Sequence, residues 1–376
     1  MKQKKIGIIT FHASHNNGSM LQAYALQNIL RGHFGLENEI INFSNQNQHR
    51  MYSVLSMPRT LKQLVRLLIN LCFYRTLKKR FNNYNHFSKK HLCVSAKKYT
   101  TLEELKKFAH NYDILISGSD QVWNIKAHDA DKAYFLPFEE KSIKKIAYAV
   151  SLGGTNLCTA TDVEEYARYI NNFSTISVRE KNAKKWMQEI TDIPIEIMAD
   201  PTLLLEKKDY FPLCTNSGIN EKYIFWYTTT YTTEAVTYIK KISTKLKLPI
   251  YIINAKEWTR RGLFRHGIKL APNGGPGSYL SCIRNAELVL TSSFHGTIFS
   301  VMFEKNFWYL ETNTSSDDDR ASFLLDQLAL SNRAIGLNKI PKLDFEDKPS
   351  YNIATRKIED LKIKSLMFIE NNIAKT

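Results

Sequence analysis

The stretch "IGIITFHASHNNGSMLQAYALQ", from Ile6 to Gln27, joins an apolar run, a polar turn and an amphipathic segment without any spacer. The run is typical of a buried strand, and Ser19 to Phe34 has helical spacing. Gly18 permits a tight turn and close approach by a ligand, and Asn17 or Ser19 is a suitable helix cap. A helix N-terminus also suits an anion. A plain strand-to-helix turn explains the same residues, and the G-x-G-x-x-G dinucleotide pattern is absent.

Short apolar runs alternate with helical patterns along most of the chain, which predicts an α/β fold with mainly parallel sheets. The turn-rich stretch "FPLCTNSGINEK" interrupts the alternation, and 376 residues suit two domains. We therefore expect two Rossmann-like doubly wound domains facing a cleft, at 1–215 and 216–376. A terminal helix over 353–372 is expected to pack back on the first domain. The other predicted helices span 101–110, 162–172, 180–189, 232–246, 278–285 and 295–303.

The termini and cysteines indicate a cytoplasmic protein. "MKQKK" leads directly into a strand-like run without the separate apolar segment of a signal peptide. No apolar run reaches the roughly 18 residues of a membrane-spanning helix. The five cysteines show no C-x-x-C pair or His/Cys cluster, so we expect reduced thiols and no metal site.

Positive charge is concentrated between Arg50 and Lys98. The net charge is +16, and this segment holds twelve Lys or Arg residues and no Asp or Glu. Its part "RTLKQLVRLLINLCFYRTLKKRF" alternates apolar and basic residues at roughly helical spacing. An amphipathic helical insertion near 50–98 would suit an anionic membrane surface, placing the protein peripherally on the inner face of the membrane. A basic helix packed on the protein body fits equally. Without a zinc-finger, RNP or helix-turn-helix signature, no nucleic acid is expected.

Polar motifs stand where several predicted strands end. Alone, each has a simple explanation: Asp200 before Pro201 makes a turn or cap, Glu180 begins a helix, and a loop histidine is structural. Arg320 could pair with Asp317 or Asp319. Because the carboxyl ends of strands form the ligand-binding edge of doubly wound sheets, the set predicts a site in the cleft. The motifs are "LISGSDQVWN" with Asp120, "ISVREKNA" with Arg179, "IMADPTLLL" with Asp200, "LVLTSSFHGTIFS" with Ser292, Ser293, His295 and Gly296, and "SSDDDRASFLL" with Arg320.

In this order, "NNGSMLQAYAL", "GSDQVWN", "ISVREKNA", "DPTLLL" and "SSFHGTIFSVMF" resemble the polysaccharide pyruvyl transferase family over roughly Lys5 to Leu330. The resemblance implies a GT-B-like pair of domains. It also implies transfer of the pyruvyl group from phosphoenolpyruvate to a sugar, as a cyclic ketal with release of phosphate. Other branches carry Arg-Leu-His where this chain has Ser293-Phe294-His295. We expect Arg320 to replace the missing arginine.

The donor chemistry suits the residues on the second half of the motif series. Phosphoenolpyruvate carries a phosphate and a carboxylate, and Arg179 and Arg320 are the expected anion clamps. A protonated His295 can protonate the methylene carbon. The hydroxyls of Ser292 and Ser293, beside Gly296, can donate to the leaving phosphate.

The residues expected to act on the acceptor lie in the first two of these motifs. Asp120 is the expected base for the attacking sugar hydroxyls, and Asn16, Asn17 and Gly18 are expected to seat the acceptor. The expected acceptor is galactose or a related sugar, or a lipid-linked oligosaccharide. Beyond phosphoenolpyruvate as co-substrate, the sequence predicts no cofactor and no metal.

Two other functions fit the same sequence. A nucleotide-sugar glycosyltransferase of GT-B type would share the fold, because a fold alone does not decide a function. A non-enzymatic basic protein would instead bind membrane or nucleic acid through 50–98. The product distinguishes the three functions. A pyruvyl transferase releases phosphate, a glycosyltransferase releases a nucleoside diphosphate, and a non-enzymatic protein shows no turnover.

Overall fold

The computed structural model describes residues 4–58, 60–138, 140, 142–228, 230–311, 317–337, 339 and 344–375. Its strands form two fully parallel sheets. The first contains β1 (Ile6–Ile9), β2 (Asn38–Phe43), β3 (Val94–Tyr99), β4 (Ile114–Asp120), β5 (Lys144–Val150), β6 (Thr175–Val178) and β7 (Ile195–Ile197). The second contains β8 (Ile224–Tyr227), β9 (Ile250–Ile252), β10 (Lys269–Leu270), β11 (Leu288–Thr291), β12 (Phe307–Glu311) and β13 (Ala334–Gly336).

Both sheets have the same doubly wound order. The first runs β3-β2-β1-β4-β5-β6-β7, and the second runs β10-β9-β8-β11-β12-β13. In the first sheet, Ile8 of β1 is paired with Ile40 of β2 on one side and with Ile116 of β4 on the other. The strand order reverses between β1 and β4 and again between β8 and β11. Ligands of doubly wound sheets bind at the carboxyl ends of such strand pairs.

Helices cover both faces of the sheets, so the central strands β1, β4 and β11 are buried along their whole length. One cluster of buried apolar side chains includes Ile8 and Ile116 of the first sheet and Phe225 and Val289 of the second. The helices are α1 (Asn17–Asn28), α2 (Gln46–Tyr52), α3 (Leu61–Cys72), α4 (Tyr74–His91), α5 (Leu102–Lys106), α6 (Val163–Ile170), α7 (Lys181–Met187), α8 (Lys207–Tyr210), α9 (Thr233–Leu246), α10 (Ala255–Arg260), α11 (Pro276–Asn285), α12 (Phe294–Met302), α13 (Arg320–Gln327) and α14 (Asn352–Ile369).

The two halves of the chain contact each other at several places, two of them on helices α4 and α14. Helix α4 reaches the second half, where Arg80 donates to the carbonyl of Ala271 and Asn83 donates to that of Gly274 at 2.8 Å. Helix α14 follows the second sheet and packs on the first. There Ser365 accepts a hydrogen bond from the Ala199 amide at 2.9 Å.

The basic segment is not one continuous helix. Phe73 separates α3 from α4, and the predicted end of the insertion at Lys98 lies inside β3, the edge strand of the first sheet. Its basic residues hid that strand from the sequence pattern. Arg59 lies outside the described residues. No helix in the described part of the chain is long and apolar enough to cross a membrane.

Candidate active site

A cavity of about 210 Å³ lies where the switch points of the two sheets face each other. The loop after β1, the N-terminus of α1 and the end of β4 form one wall. The N-termini of α12 and α13 form the other. Helix N-termini favour negative charge, because their first N–H groups are unpaired within the helix. The lining includes Asn16, Ser19, Asp120, Ser292, Ser293, His295 and Arg320.

Arg179 lies behind this cavity, held between two carboxylates. Its Nη2 donates to Asp120 Oδ1 at 3.0 Å, and its Nη1 donates to Asp200 Oδ2. Its guanidinium carbon also lies 4.4 Å from the centre of the Phe294 ring. Both Arg179 and Asp200 are buried, and Arg179 is not among the residues that line the cavity. The guanidinium therefore holds the two carboxylates from behind the cavity, whereas the sequence analysis had assigned Arg179 as an anion clamp for the donor.

Asp200 is more than the turn residue that its position before Pro201 suggested. Its Oδ1 accepts from the amide and hydroxyl of Thr202, so it does cap that short 3₁₀ turn. Its Oδ2 also lies 3.6 Å from His295 Nε2. Burial raises the pKa of Asp200, but the neighbouring His295 and Arg179 outweigh burial and hold the pKa below its usual range.

Asp120 lies on the cavity wall with both of its oxygens hydrogen-bonded. Oδ1 accepts from Arg179 and from the Gln121 amide at 2.9 Å, and Oδ2 accepts from Ser19 Oγ at 2.5 Å. Burial raises its pKa, but Arg179, His295 and Ser19 more than reverse that effect. Asp120 is therefore ionised at neutral pH. Sequence reasoning considered Ser19 only as a helix cap and missed this contact.

The first turn of α1, at Gly18, packs against His295. A Cβ atom at residue 18 would lie 2.1 Å from His295 Nδ1, closer than real atoms approach. The glycine therefore admits the imidazole against the first turn of α1. His295 Nε2 has no hydrogen-bond partner among the described residues, and the side chain lines the cavity.

Asn16 and Asn17 face different neighbours. Asn16, rather than Asn17 or Ser19, caps α1, because its Oδ1 accepts from the amides of Gly18 and Ser19 at 3.0 and 3.4 Å. Asn17 accepts from the hydroxyl of Tyr84 at 2.8 Å. Both asparagines line a second cavity of about 310 Å³ between the sheets, and Asn16 also lines the first.

On the second wall, Arg320 pairs with Asp318, and with neither Asp317 nor Asp319. Its Nε and Nη2 donate to the two oxygens of Asp318 at 2.7 and 2.6 Å. Burial lowers the pKa of Arg320, but the bonds to Asp318 outweigh burial and raise it. This bidentate pair fixes the guanidinium on the cavity wall, where the Asp318 carboxylate offsets its charge.

The two serines occupy the turn from β11 to α12. Ser293 caps α12 by accepting from the Gly296 amide at 3.3 Å, and Ser292 lies 2.5 Å from the hydroxyl of Thr228. Gly296 is needed for packing, since a Cβ there would lie 2.2 Å from Thr291 Oγ1. Gly296 does not line the cavity.

Glu180 has a different role from the one expected. It makes no side-chain bond to the N-terminus of α7. Its Oε1 instead accepts from the amides of Leu152 and Gly153 at 2.7 and 3.3 Å. Burial raises its pKa more than the adjacent Arg179 lowers it. The residue therefore ties the β5 loop to the end of β6.

A larger groove of about 790 Å³ adjoins the cavity on the first half of the chain. Tyr52 lines both the groove and the 210 Å³ cavity. His12 and His15 also line the groove, and burial lowers the pKa of each to about 4, so both are neutral. Lys78 and Lys89 add positive charge to the lining. In the described residues, no group of three or more His, Cys, Asp or Glu is placed to hold a metal ion.

The family model for polysaccharide pyruvyl transferase matches residues 16–314. This range covers most of the chain and includes Asp120, Arg179 and His295; Arg320 lies just beyond it. The chain belongs to the polysaccharide pyruvyl transferase family. The family resemblance seen in the sequence motifs is thereby confirmed. No curated protein sequence matches the chain.

Solved structures that resemble this chain confirm the two-domain fold. A putative UDP-N-acetylglucosamine 2-epimerase from Listeria monocytogenes is 10% identical over 100% of this chain and 98% of its own, with a TM-score of 0.57. UDP-GlcNAc 2-epimerase from Methanocaldococcus jannaschii is 13% identical over 97% of this chain and 99% of its own, with a TM-score of 0.52. At these identities the likeness shows the fold alone: two Rossmann-like domains in a GT-B-like arrangement.

Proposed function

We propose that this chain transfers the pyruvyl group of phosphoenolpyruvate to two hydroxyls of a sugar, forming a cyclic pyruvate ketal in surface polysaccharide biosynthesis. The observation that carries the proposal is the 210 Å³ cavity, where His295, Asp120 and Arg320 converge within a chain of this family. In this lining, the Arg320 guanidinium, the two helix N-termini and the buried histidine suit a small anionic donor. The carboxylates of Asp120, Asp129 and Asp318 lie in the same lining and do not suit one.

In the proposed donor complex, Arg320 holds an anionic group of phosphoenolpyruvate. The Ser293 hydroxyl accepts from its own helix, so its proton remains available to a phosphate oxygen. Ser292 lies beside it on the same wall. Arg179 acts from behind, by holding Asp120 and Asp200 in place. This assignment replaces direct donor binding by Arg179 and retains Arg320 as the clamp.

The proposed reaction proceeds in three steps, in which atoms and charges balance. His295 gives a proton to the methylene carbon, which becomes the methyl group, and a sugar hydroxyl attacks the adjacent carbon. The C–O bond to phosphate then breaks, and phosphate leaves with the bonding electron pair. A second hydroxyl closes the ketal. One hydroxyl proton replaces the proton that His295 supplied, and the other leaves with phosphate.

Asp120 is the proposed acceptor of the hydroxyl protons. A carboxylate with a lowered pKa is a weak base, but a hydroxyl becomes acidic as it attacks an electrophilic carbon. Asp200, 3.6 Å from His295 Nε2, would stabilise the imidazolium before it gives up its proton. The two carboxylates thus have separate roles, one toward the acceptor and one toward the acid.

The proposed acceptor site extends from the cavity into the 790 Å³ groove beside Tyr52. Aromatic and amide side chains such as Tyr52 and Asn85 line it, together with Lys78 and Lys89. Its volume lies within the range of about 300–1,000 Å³ of small-molecule sites. A lipid-linked oligosaccharide would bring the enzyme to an anionic membrane surface, which we propose as a further partner.

The decisive experiment incubates the purified protein with phosphoenolpyruvate and a panel of galactosides. The expected result is release of phosphate and a product whose mass has gained a pyruvate ketal. Consumption of a nucleotide sugar with release of a nucleoside diphosphate would instead assign a glycosyltransferase. Failure to bind phosphoenolpyruvate, measured by titration calorimetry, would overturn the proposal without reference to the acceptor.

A further inference from the structure

Helix α3 carries a row of apolar side chains that faces away from the protein. The five members recur at spacings of three and four residues, which place side chains on one face of a helix. Their exposed fractions range from 41% to 77%. Contiguous exposed apolar surface marks an interaction site, whereas single exposed apolar residues are ordinary. The row consists of Leu61, Leu64, Val65, Leu68 and Leu71.

The opposite face of α3 is fixed to the protein body. Asn70 is buried, and its side-chain amide donates to the carbonyl of Val54 at 3.0 Å. Directly after the helix, Phe73 packs edge-on against Trp258 of α10, with ring centres 5.8 Å apart. The N-terminus is capped by Thr60, whose hydroxyl accepts from the Gln63 amide. The apolar row therefore cannot turn inward without breaking these contacts.

Positive charge surrounds the row. Residues 50–98 contain no Asp or Glu, so no acidic side chain of this segment offsets its basic residues. A second copy of the chain, with a net charge of +16, would be repelled from such a surface. An anionic lipid surface complements it in both charge and polarity. The exposed basic side chains are Lys62, Arg66, Arg75, Lys78 and Lys79.

We propose that α3 lies in the interface of an anionic membrane, with the apolar row among the acyl chains and the nearby Lys and Arg side chains at headgroup phosphates. Interfacial helices bind in this way, through buried apolar area together with attraction to anionic lipids. Arg80 does not belong to this surface, because it is buried and donates to the Ala271 carbonyl. The inference does not depend on the identity of the donor.

Vesicle co-sedimentation of the full chain tests the proposal. The protein should bind vesicles of phosphatidylcholine mixed with phosphatidylglycerol, and binding should fall with salt, which screens charge beyond about 10 Å at 0.1 M. Vesicles of phosphatidylcholine alone should bind far less. Changing Leu64→Gln with Leu68→Gln should weaken binding at least tenfold. Changing Lys62→Gln with Arg66→Gln should weaken it roughly fivefold for each residue.

The matched control lies on α14. Ile363 and Met367 are similarly exposed and have the same four-residue spacing, so Ile363→Gln with Met367→Gln should leave vesicle binding unchanged. Each variant should keep the wild-type melting temperature and its turnover of a soluble acceptor. Loss of vesicle binding with normal soluble turnover thus separates this inference from the proposed reaction.

Two native cysteines report the orientation of the helix. Cys72 lies on α3 and Cys93 lies after α4, and both are exposed. An environment-sensitive fluorophore on Cys72, in a Cys93→Ser protein, should shift to the blue with anionic vesicles. The same label on Cys93, in a Cys72→Ser protein, should not. Three results would each overturn the proposal: no binding to anionic vesicles at low salt, equal loss in the α14 control, or a dimer that the Leu64 and Leu68 changes abolish.

Discussion

At the scale of single residues, the position of His295 depends on the absence of a side chain at Gly18. The glycine lies on α1 of the first half of the chain, and the histidine lies on α12 of the second. Their contact therefore sets how closely the two helix N-termini approach across the cavity. A residue selected from the sequence for acceptor binding acts here by leaving room for the imidazole.

We predict that Gly18→Ala displaces the imidazole and lowers turnover nearly as much as His295→Ala. Loss of a general acid costs roughly a hundredfold to ten-thousandfold. The control is Gly32→Ala, since nothing lies within 4 Å of a Cβ at that position. Turnover and thermal unfolding of all three variants check the prediction. A Gly18→Ala enzyme with wild-type turnover would contradict it.

The two arginines should respond differently to removal. Arg179→Ala leaves Asp120 and Asp200 buried without their cation, which typically destabilises a protein by about 3–5 kcal/mol. Arg320→Ala frees the partly exposed Asp318 and should mainly weaken phosphoenolpyruvate binding, by roughly 10- to 150-fold. Urea unfolding and donor titration separate the effects, with Arg356→Ala on the exposed face of α14 as control. An equal loss of stability in Arg179→Ala and Arg320→Ala would contradict a structural role for Arg179 and a donor-binding role for Arg320.

His12 and His15 should make stability fall in mild acid. Burial lowers the pKa of each to about 4, from the ordinary value near 6.5. Between those values the unfolded chain binds protons that the folded chain does not, so the free energy of unfolding decreases as pH falls from about 6.5 to 4. Urea unfolding across that range should show a weaker slope in His12→Gln and His15→Gln. A wild-type slope in both variants would show that these two histidines are not the source of the pH dependence.

Sequence patterns identified the residue types of the site but not their partners. Asp120, His295 and Arg320 all line the cavity, as strand-end positions predict. Asp200 has the sequence of an ordinary turn, and Asp318 was overlooked between its two acidic neighbours. The pairing of each carboxylate with a cation depends on how side chains from distant strands are oriented in the fold. The local sequence around each residue does not predict that orientation.

At the scale of secondary-structure elements, α12 links helix capping to the chemistry of the site. Ser293 ends the turn after β11, and its hydroxyl accepts from the Gly296 amide. The same oxygen lies on the cavity wall. Its loss should therefore affect both the start of the helix and the donor.

We predict that Ser293→Ala lowers the free energy of unfolding by about 1 kcal/mol, as is usual for a lost cap, and also raises the KM for phosphoenolpyruvate. Ser293→Thr keeps a hydroxyl and should restore both quantities. Thr232 caps the remote helix α9 with a bond to the Ala235 amide at 3.1 Å, so Thr232→Ala should cost similar stability without changing the donor KM. A donor KM that rises equally in both alanine variants would refute the dual role.

The elements that the sequence predicted well are those buried on both faces. The continuous apolar runs "KKIGIIT", "DILISGS", "KIAYAVSL" and "ELVLTS" predict strands, and the structure has β1, β4, β5 and β11 at these positions. The edge strand β7 also lies in a predicted strand, "IEIMAD", whereas the other three edge strands, β3, β10 and β13, were not predicted. They are short or carry lysines, and edge strands need fewer apolar residues because one side faces solvent.

At the scale of the whole molecule, the terminal helix ties the end of the chain to the beginning. Helix α14 follows the second sheet in sequence, yet Phe368 is buried with its ring 6.0 Å from that of Tyr148 in the first sheet. Ser365 and Asn372 add hydrogen bonds to Ala199 and Thr175. These contacts join the last helix of the chain to the first sheet, away from the 210 Å³ cavity.

We predict that Phe368→Ala lowers the free energy of unfolding by about 3–5 kcal/mol, the usual cost of removing a buried aromatic side chain. Met367, the preceding residue, is 56% exposed, so Met367→Ala should change stability by no more than about 0.5 kcal/mol. Because α14 follows the second sheet in sequence and packs on the first, the Phe368 variant should also lose turnover at temperatures below its unfolding transition, as the two cavity walls separate. Urea unfolding and a temperature series of turnover measure the two effects. If Phe368→Ala is as stable as Met367→Ala, the packing of α14 on the first sheet does not stabilise the protein. If turnover stays normal up to the unfolding transition, the cavity does not depend on this packing.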